Sequence, residues 1–265
     1  MRLKITLAYT KQKIKLPIHY NRILQGFIYS LFDNLFKKFL HQKGYIYQKR
    51  KFKLFTFSRL IGEFKIEENK EKYILFKPPI SFFISSPKEE IMQNLAEGIL
   101  RKEKLFLGKN EVFIESIEVM PSFEFKEEML INMLSPITCY STLKKADGKS
   151  KVYYYNPFEE EFSLILKNNL KKKYQLVFGK IPEKFDFQIL PSRVNKKDEK
   201  IILYKKIIQK QKKSTVIKGW MGTYIIKGSP EILKLSYDAG LGSKNSQGFG
   251  CWEVWNEKQK QKCCN

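Results

Sequence analysis

The first 120 residues alternate strand-like and helix-like segments in the order β-α-β-β-α-β, and that order admits few folds. Residues 1–9 alternate as a strand does. Pro17 opens a helix-compatible segment, with Ile23, Leu24, Phe27, Ile28 and Leu31 at helical spacing. Asp33-Asn34 predict a break and a new N-cap, followed by a short helix through Phe36, Phe39 and Leu40 to His41. Strands are predicted over 52–60, 72–76, 80–85 and 111–119. A helix from Pro87 to about Arg101 carries the stripe Ile91, Leu95, Ile99 and Leu100. The unit closes near Pro121.

The second half repeats the theme less regularly. Strands are expected near 127–142, 151–155, 184–190, 200–208, 214–227 and 249–255. Asn156-Pro157 should cap a helix over 158–173, and Ser229-Pro230 start a short one to about Tyr237. The expected fold class is α+β, two tandem ferredoxin-like (RRM-like, βαββαβ) units. The expected domains are 1–121 and 122–255, with 256–265 a polar tail.

Composition narrows the function. A hydrophobic content of 43% excludes a disordered chain. No apolar run approaches the roughly 20 residues of a membrane span. The N-terminus lacks a signal-peptide core, so a cytoplasmic location is expected. Cys139, Cys251, Cys263 and Cys264 form no zinc-like spacing, so neither metal nor cofactor is expected. With 50 Lys+Arg against 27 Asp+Glu the formal charge is +23. That excess calls for a polyanionic partner, nucleic acid before an anionic membrane. The plain alternative is a chain that fills its solvent faces with Lys.

Only six of the cations are Arg, which suits phosphate contact better than bidentate base reading. Between His41 and Leu60 lie Lys43, Lys49, Arg50, Lys51, Lys53 and Arg59 without an acid. Lys171, Lys172 and Lys173 form a second cluster, and the nine lysines from Asn195 to Lys218 inclusive a third. Tyr45, Tyr47, Phe52, Tyr174 and Tyr204 are interleaved, the mixture that single-stranded RNA sites use.

Residues 240–250 hold four of the chain's 14 glycines, as Gly240-Leu241-Gly242, a spacer with Lys244, and Gly248-Phe249-Gly250. Glycine lets backbone approach a ligand closely, and a nest of N–H groups beside Lys244 would suit a phosphate. A tight helix-to-strand connection would need only one or two glycines. The run is neither a Walker A loop nor a Rossmann fingerprint.

This doubled glycine-hydrophobic-glycine loop resembles the hallmark of the CRISPR-associated RAMP proteins. Further blocks resemble one branch, the repeat-processing endoribonucleases (the Cas-six family). They are Pro17, Tyr20-Asn21, Leu24-Gln25-Gly26-Phe27-Ile28-Tyr29, the segment Lys53-Leu54-Phe55-Thr56-Phe57-Ser58, and Leu134-Ser135-Pro136-Ile137. The resemblance implies an enzyme that binds CRISPR repeat RNA and cuts the precursor transcript once per repeat, without metal. The 2′-OH attacks the scissile phosphate, leaving a 2′,3′-cyclic phosphate and a 5′-OH. It implies repeat RNA as partner, admits effector-complex proteins, and is compatible with a monomer or a homodimer, away from membranes.

The family's Tyr, His and Lys match Tyr29, His41 and Lys53. Histidine suits proton transfer near neutrality, so His41 is the expected general acid at the leaving 5′-oxygen. Tyrosine, at about 10, is a poor base unless shifted, so Tyr29 is expected to orient or deprotonate the 2′-OH. Lys53 would stabilise charge on the phosphate, and Lys51 could reach the same place. Twelve residues of straight helix would separate Tyr29 from His41 by about 18 Å, so the break at Asp33-Asn34 is a condition of the site. The expected RNA contacts are Gly240, Gly242, Lys244, Gly248, Gly250, Lys51, Lys196, Lys197, Lys212 and Lys213. Two alternatives stand beside the enzyme. One is a non-catalytic RNA-binding protein of the same fold in an effector complex. The other is a metal-dependent nuclease, which needs clustered carboxylates.

Overall fold

The computed structural model describes residues 1–68, 72–144, 148, 150–208 and 211–255, with the side chains of all but 205–208 and 211–213. The predicted tail 256–265, and Cys263 and Cys264 with it, lie outside the described residues.

The first half runs β1 (Arg2–Ala8), β2 (Ile14–Pro17), α1 (Asn21–Leu31), α2 (Asn34–Gln42), β3 (Tyr45–Tyr47), β4 (Arg50–Phe52) and β5 (Thr56–Phe57). It continues with β6 (Phe64–Glu68), β7 (Lys72–Phe76), β8 (Ile80–Ser85), α3 (Glu89–Leu100), β9 (Leu105–Leu107) and β10 (Asn110–Val119). One antiparallel sheet has the order β5-β8-β1-β10-β9. Without the edge hairpin partner β9, that is the second, third, first and fourth strand of a βαββαβ unit. Ile5, at the sheet centre, pairs with both Phe82 and Ile117. Leu3, Ile5 and Leu7 share one face by the period of two, and that face is buried under α1 and α3 with Phe27, Ile28, Ile91 and Leu95. Three-stranded β2-β7-β6 and hairpin β3-β4 are insertions on this frame.

The second half runs β11 (Glu128–Met133), β12 (Tyr140–Lys144), β13 (Ser150–Tyr154), α4 (Glu160–Phe178) and β14 (Phe187–Arg193). Then come β15 (Glu199–Ile208), β16 (Gln211–Trp220), β17 (Thr223–Gly228), α5 (Pro230–Ala239) and β18 (Trp252–Val254). Its sheet has the order β14-β17-β11-β18, the same topology again. The expected tandem ferredoxin-like class is borne out, and the second core forms around Ile131, Tyr224, Ile226, Leu166, Leu170 and Trp252. Hairpins β12-β13 and β15-β16 are its insertions.

Several predicted elements are corrected. The strand expected over 52–60 is two short pieces, β4 and β5, because Leu54 takes φ +52° between them. The strand expected over 127–142 divides into β11 and β12, with Pro136, which has no N–H for a ladder, in the gap. Gly222 at φ +103° divides 214–227 into β16 and β17. Pro17 ends β2 rather than opening a helix, and α1 starts at Asn21. Helix α4 runs on to Phe178, where Gly179 at φ +77° stops it.

Candidate active site and nucleic-acid interface

The chain break predicted at Asp33-Asn34 is present. Asp33 takes extended backbone angles, and its carboxylate accepts the Phe36 N–H at 2.8 Å. That is an N-cap, which ends one helix and starts the next. Asn94 of α3 anchors the corner: its Oδ1 accepts the Asp33 N–H at 3.1 Å, and its amide donates to the Asp33 carboxylate. The short α2 then ends at Gln42 with His41 exposed in its last turn. Hairpin β3-β4 returns the chain beside that helix end. Lys51 Nζ donates to the Gln42 carbonyl at 2.7 Å and Lys53 Nζ to the His41 carbonyl at 3.3 Å. Both lysines thus cap orphan carbonyls at the negative end of α2. Burial, and then the neighbouring Lys51, hold the Lys53 amine below its ordinary value.

Tyr29 lies on the other side of the break, on the buried face of α1. Its ring packs on Phe55 at 5.9 Å and Phe32 at 6.0 Å. Burial pushes the phenol up to about 12, opposed by Ser246. The group therefore keeps its proton near neutral pH, where it can donate a hydrogen bond and is present as phenolate even less than an exposed tyrosine.

Ser246 belongs to the glycine-rich loop, which is wedged between the two units. Thr56 Oγ1 donates to the Phe249 carbonyl at 3.0 Å, Asn21 Nδ2 to the Gly248 carbonyl at 3.2 Å, and Gln25 Nε2 to the Ser246 carbonyl at 2.6 Å. Gly240, Gly242, Gly248 and Gly250 all have positive φ and are buried. A Cβ on Gly248 would sit 2.7 Å from the Phe57 ring. The loop tip, 243–247, is half-buried and faces a cleft.

That cleft, of about 790 Å³, lies between the units. Arg50, Lys51, Lys53 and Phe55 line it from the first half. Tyr140, Lys172, Lys173, Gly242, Lys244 and Ser246 line it from the second. Six lining residues are cations, and none of the described ones is Asp or Glu. Crowding of like charge registers at Lys172, whose amine is lowered by burial and then by Arg50. Such a cleft focuses a field that draws in phosphates. The Lys244 ammonium lies 5.0 Å over the Tyr140 ring.

Among the predicted site residues, Lys51, Lys53, Gly242 and Lys244 line this cleft; Tyr29 and His41 do not, Tyr29 being buried against Phe55 and His41 standing at the end of α2 whose carbonyl Lys53 binds. Gly240, Gly248 and Gly250 do not line it; they shape the loop that does. Lys196 and Lys197 lie elsewhere, exposed on a 3-10 turn at the base of hairpin β15-β16. Lys212 and Lys213 belong to β16, but their side chains lie outside the described part. Sequence reasoning missed Asn245 and Ser246, and gave Lys173 no role beyond its charge cluster. A signal for Lys173 existed: it falls in the buried helical stripe Phe162, Leu166, Leu170, where a lysine is out of place.

Comparison with known proteins agrees with this architecture. The model of "CRISPR associated protein Cas6, C-terminal" matches residues 118–254, and that of "CRISPR-associated protein Cas6, N-terminal" matches 15–118. The chain is 32% identical over 241 residues to CRISPR-associated endoribonuclease Cas6 1 of Methanocaldococcus jannaschii, covering 88% of each protein. It is 26% identical over 245 residues to CRISPR-associated endoribonuclease Cas6 of Pyrococcus furiosus, covering 92% of this chain and 85% of that one. A solved structure of a Cas6-related protein from Pyrococcus furiosus superposes with a TM-score of 0.77 at 28% identity, over 97% of this chain and 99% of that one. With both halves matched and this frame beneath them, the chain belongs to the Cas6 family of CRISPR-associated endoribonucleases.

Proposed function

We propose that this chain binds CRISPR repeat RNA in the inter-unit cleft and cuts precursor transcripts within each repeat, using its own side chains and no metal. The observation that carries this reading is the cationic, carboxylate-free cleft, with Lys53 bonded to the carbonyl of His41 on one wall and Lys244 and Ser246 of the glycine-rich loop on the other. The 2′-oxygen attacks the scissile phosphorus and the bond to the 5′-oxygen breaks. Tyr29, protonated, orients the 2′-hydroxyl, whose proton passes to solvent. His41, as imidazolium, protonates the leaving 5′-oxygen. Lys53, with Lys51 beside it, offsets charge on the phosphorane. The products are a 2′,3′-cyclic phosphate and a 5′-hydroxyl. Lys244 and Gly242 serve flanking nucleotides.

The test is cleavage of the host's repeat RNA in EDTA by wild type and His41→Ala. Cutting at one site that survives EDTA and falls about 10²-fold or more in the variant is expected, in line with the loss of a general acid. Tight binding without cutting by either protein would instead make the chain a guide-RNA holder, and loss of cutting in EDTA would make it a metal-dependent nuclease.

A further inference from the structure

Lys173 is a buried cation to which the chemistry above assigns no task. It projects from α4 into the glycine-rich loop and is 2% exposed. Its Nζ donates to the Gly240 carbonyl at 2.7 Å, the Gly242 carbonyl at 3.0 Å and Asn245 Oδ1 at 2.7 Å. The Asn245 amide passes the restraint on, donating to the Leu241 carbonyl at 2.9 Å and the Phe249 carbonyl at 3.0 Å. The loop therefore turns its carbonyls inward around one ammonium. The positive φ of Gly240 and Gly242 is part of that geometry. Lysine alone among side chains offers three N–H donors on one nitrogen. Burial pulls the amine down to about 7, and the three oxygens oppose that pull by accepting all three protons. An ammonium taken out of water is costly unless fully bonded, so this one is tied to its loop.

The next residue along is Ser246, whose carbonyl accepts from Gln25 Nε2 at 2.6 Å, and Gln25 stands one turn before Tyr29 on α1. We infer that Lys173 is a positioning residue for RNA cleavage: it clamps the glycine-rich loop from within and, through Asn245 and the Ser246 carbonyl bonded to Gln25, holds the turn of α1 that carries Tyr29. This rests on the reading that Tyr29 and His41 serve the reaction. Lys173 holds the loop rather than the RNA, so its loss reduces turnover and not affinity.

The experiment compares wild type, Lys173→Met, Tyr29→Phe, the double variant and His41→Ala on repeat RNA, with melting curves for each. Lys173→Met should lower kcat about 10²-fold, the order of loss that a displacement of about 1 Å produces. KM should change by less than about threefold, the mark of an interaction felt only in the transition state. The double variant should be no slower than Tyr29→Phe alone, because both changes remove one coupled effect. Propylammonium, the fragment that Lys173→Ala lacks, should restore both rate and melting temperature to that variant.

Full turnover by Lys173→Met, or independent multiplication of the two losses, would overturn the inference. So would a wild-type rate for Tyr29→Phe. Unfolding of both Lys173 variants that propylammonium does not reverse would make Lys173 a folding residue only, which also overturns it. If His41→Ala keeps wild-type activity, it is the catalytic reading that fails; if His41→Ala is inactive and Lys173→Met is not, the fault lies with the inference alone.

Discussion

Gly250 has φ +78°, and a Cβ built there would lie 1.9 Å from the Leu241 carbonyl oxygen. That oxygen cannot retreat, because Asn245 Nδ2 donates to it at 2.9 Å. Gly250→Ala therefore meets both the left-handed penalty of about 1–2 kcal/mol and a backbone collision. A destabilisation above about 3 kcal/mol is expected by urea unfolding, with cleavage lost where the loop deforms. A melting curve like wild type would show that the loop can re-form around a side chain. The same scale explains Tyr29. An exposed tyrosine titrates near 10 and is already protonated at neutral pH; burial pushes this one, packed on Phe55, further up to about 12.

Among elements, the decisive one is the corner between α1 and α2. A continuous helix would carry His41 about 18 Å from Tyr29, too far for one phosphate. Asp33 makes the corner by capping α2, and Asp33→Ala should cost about 1 kcal/mol. The cap is also pH-dependent. The Phe36 N–H first, and then Asn94, hold the Asp33 carboxyl below its usual value. Its stabilisation is therefore present above the unfolded carboxylate value, about 4, and is lost as pH falls through the lower folded value. The melting difference between wild type and Asp33→Ala should be full at pH 7 and shrink below about pH 4. A difference constant down to pH 2 would mean that the charge of Asp33 plays no part.

At the scale of the molecule, two units of equal topology flank the cleft. Arg2 is one rivet. It is 3% exposed, although it stands in β1 of the first unit. Its guanidinium donates to the Trp252 carbonyl at 2.6 Å and the Tyr237 carbonyl at 2.7 Å in the second unit, and lies 3.3 Å from the Tyr237 ring centroid. Two charge-assisted bonds at roughly 1.5 kcal/mol each suggest a loss of about 3 kcal/mol for Arg2→Met. The unfolding transition should also separate into two steps as the units uncouple. One transition with an unchanged midpoint would show that the loop contacts suffice.

The order of strands and helices, the corner at Asp33-Asn34, the basic run around Lys53 and the doubled glycines were legible in the residues themselves, because each depends on local periodicity, capping or backbone freedom. The tandem ferredoxin-like fold follows from that order, since a right-handed βαβ crossover leaves few ways to return to the sheet. Strand ends were not legible where a single backbone turn decides them, as at Leu54 and Gly222. The roles inside the loop were hidden for a different reason. Helical spacing sets Lys173 apart from Lys171 and Lys172 as the one on the buried stripe, but nothing local shows that it is sealed among the carbonyls of residues 67 and 69 positions further along. Only the docking of α4 against that loop could decide what the buried lysine clamps, because hydrogen-bond partners so distant in sequence are properties of the packed chain.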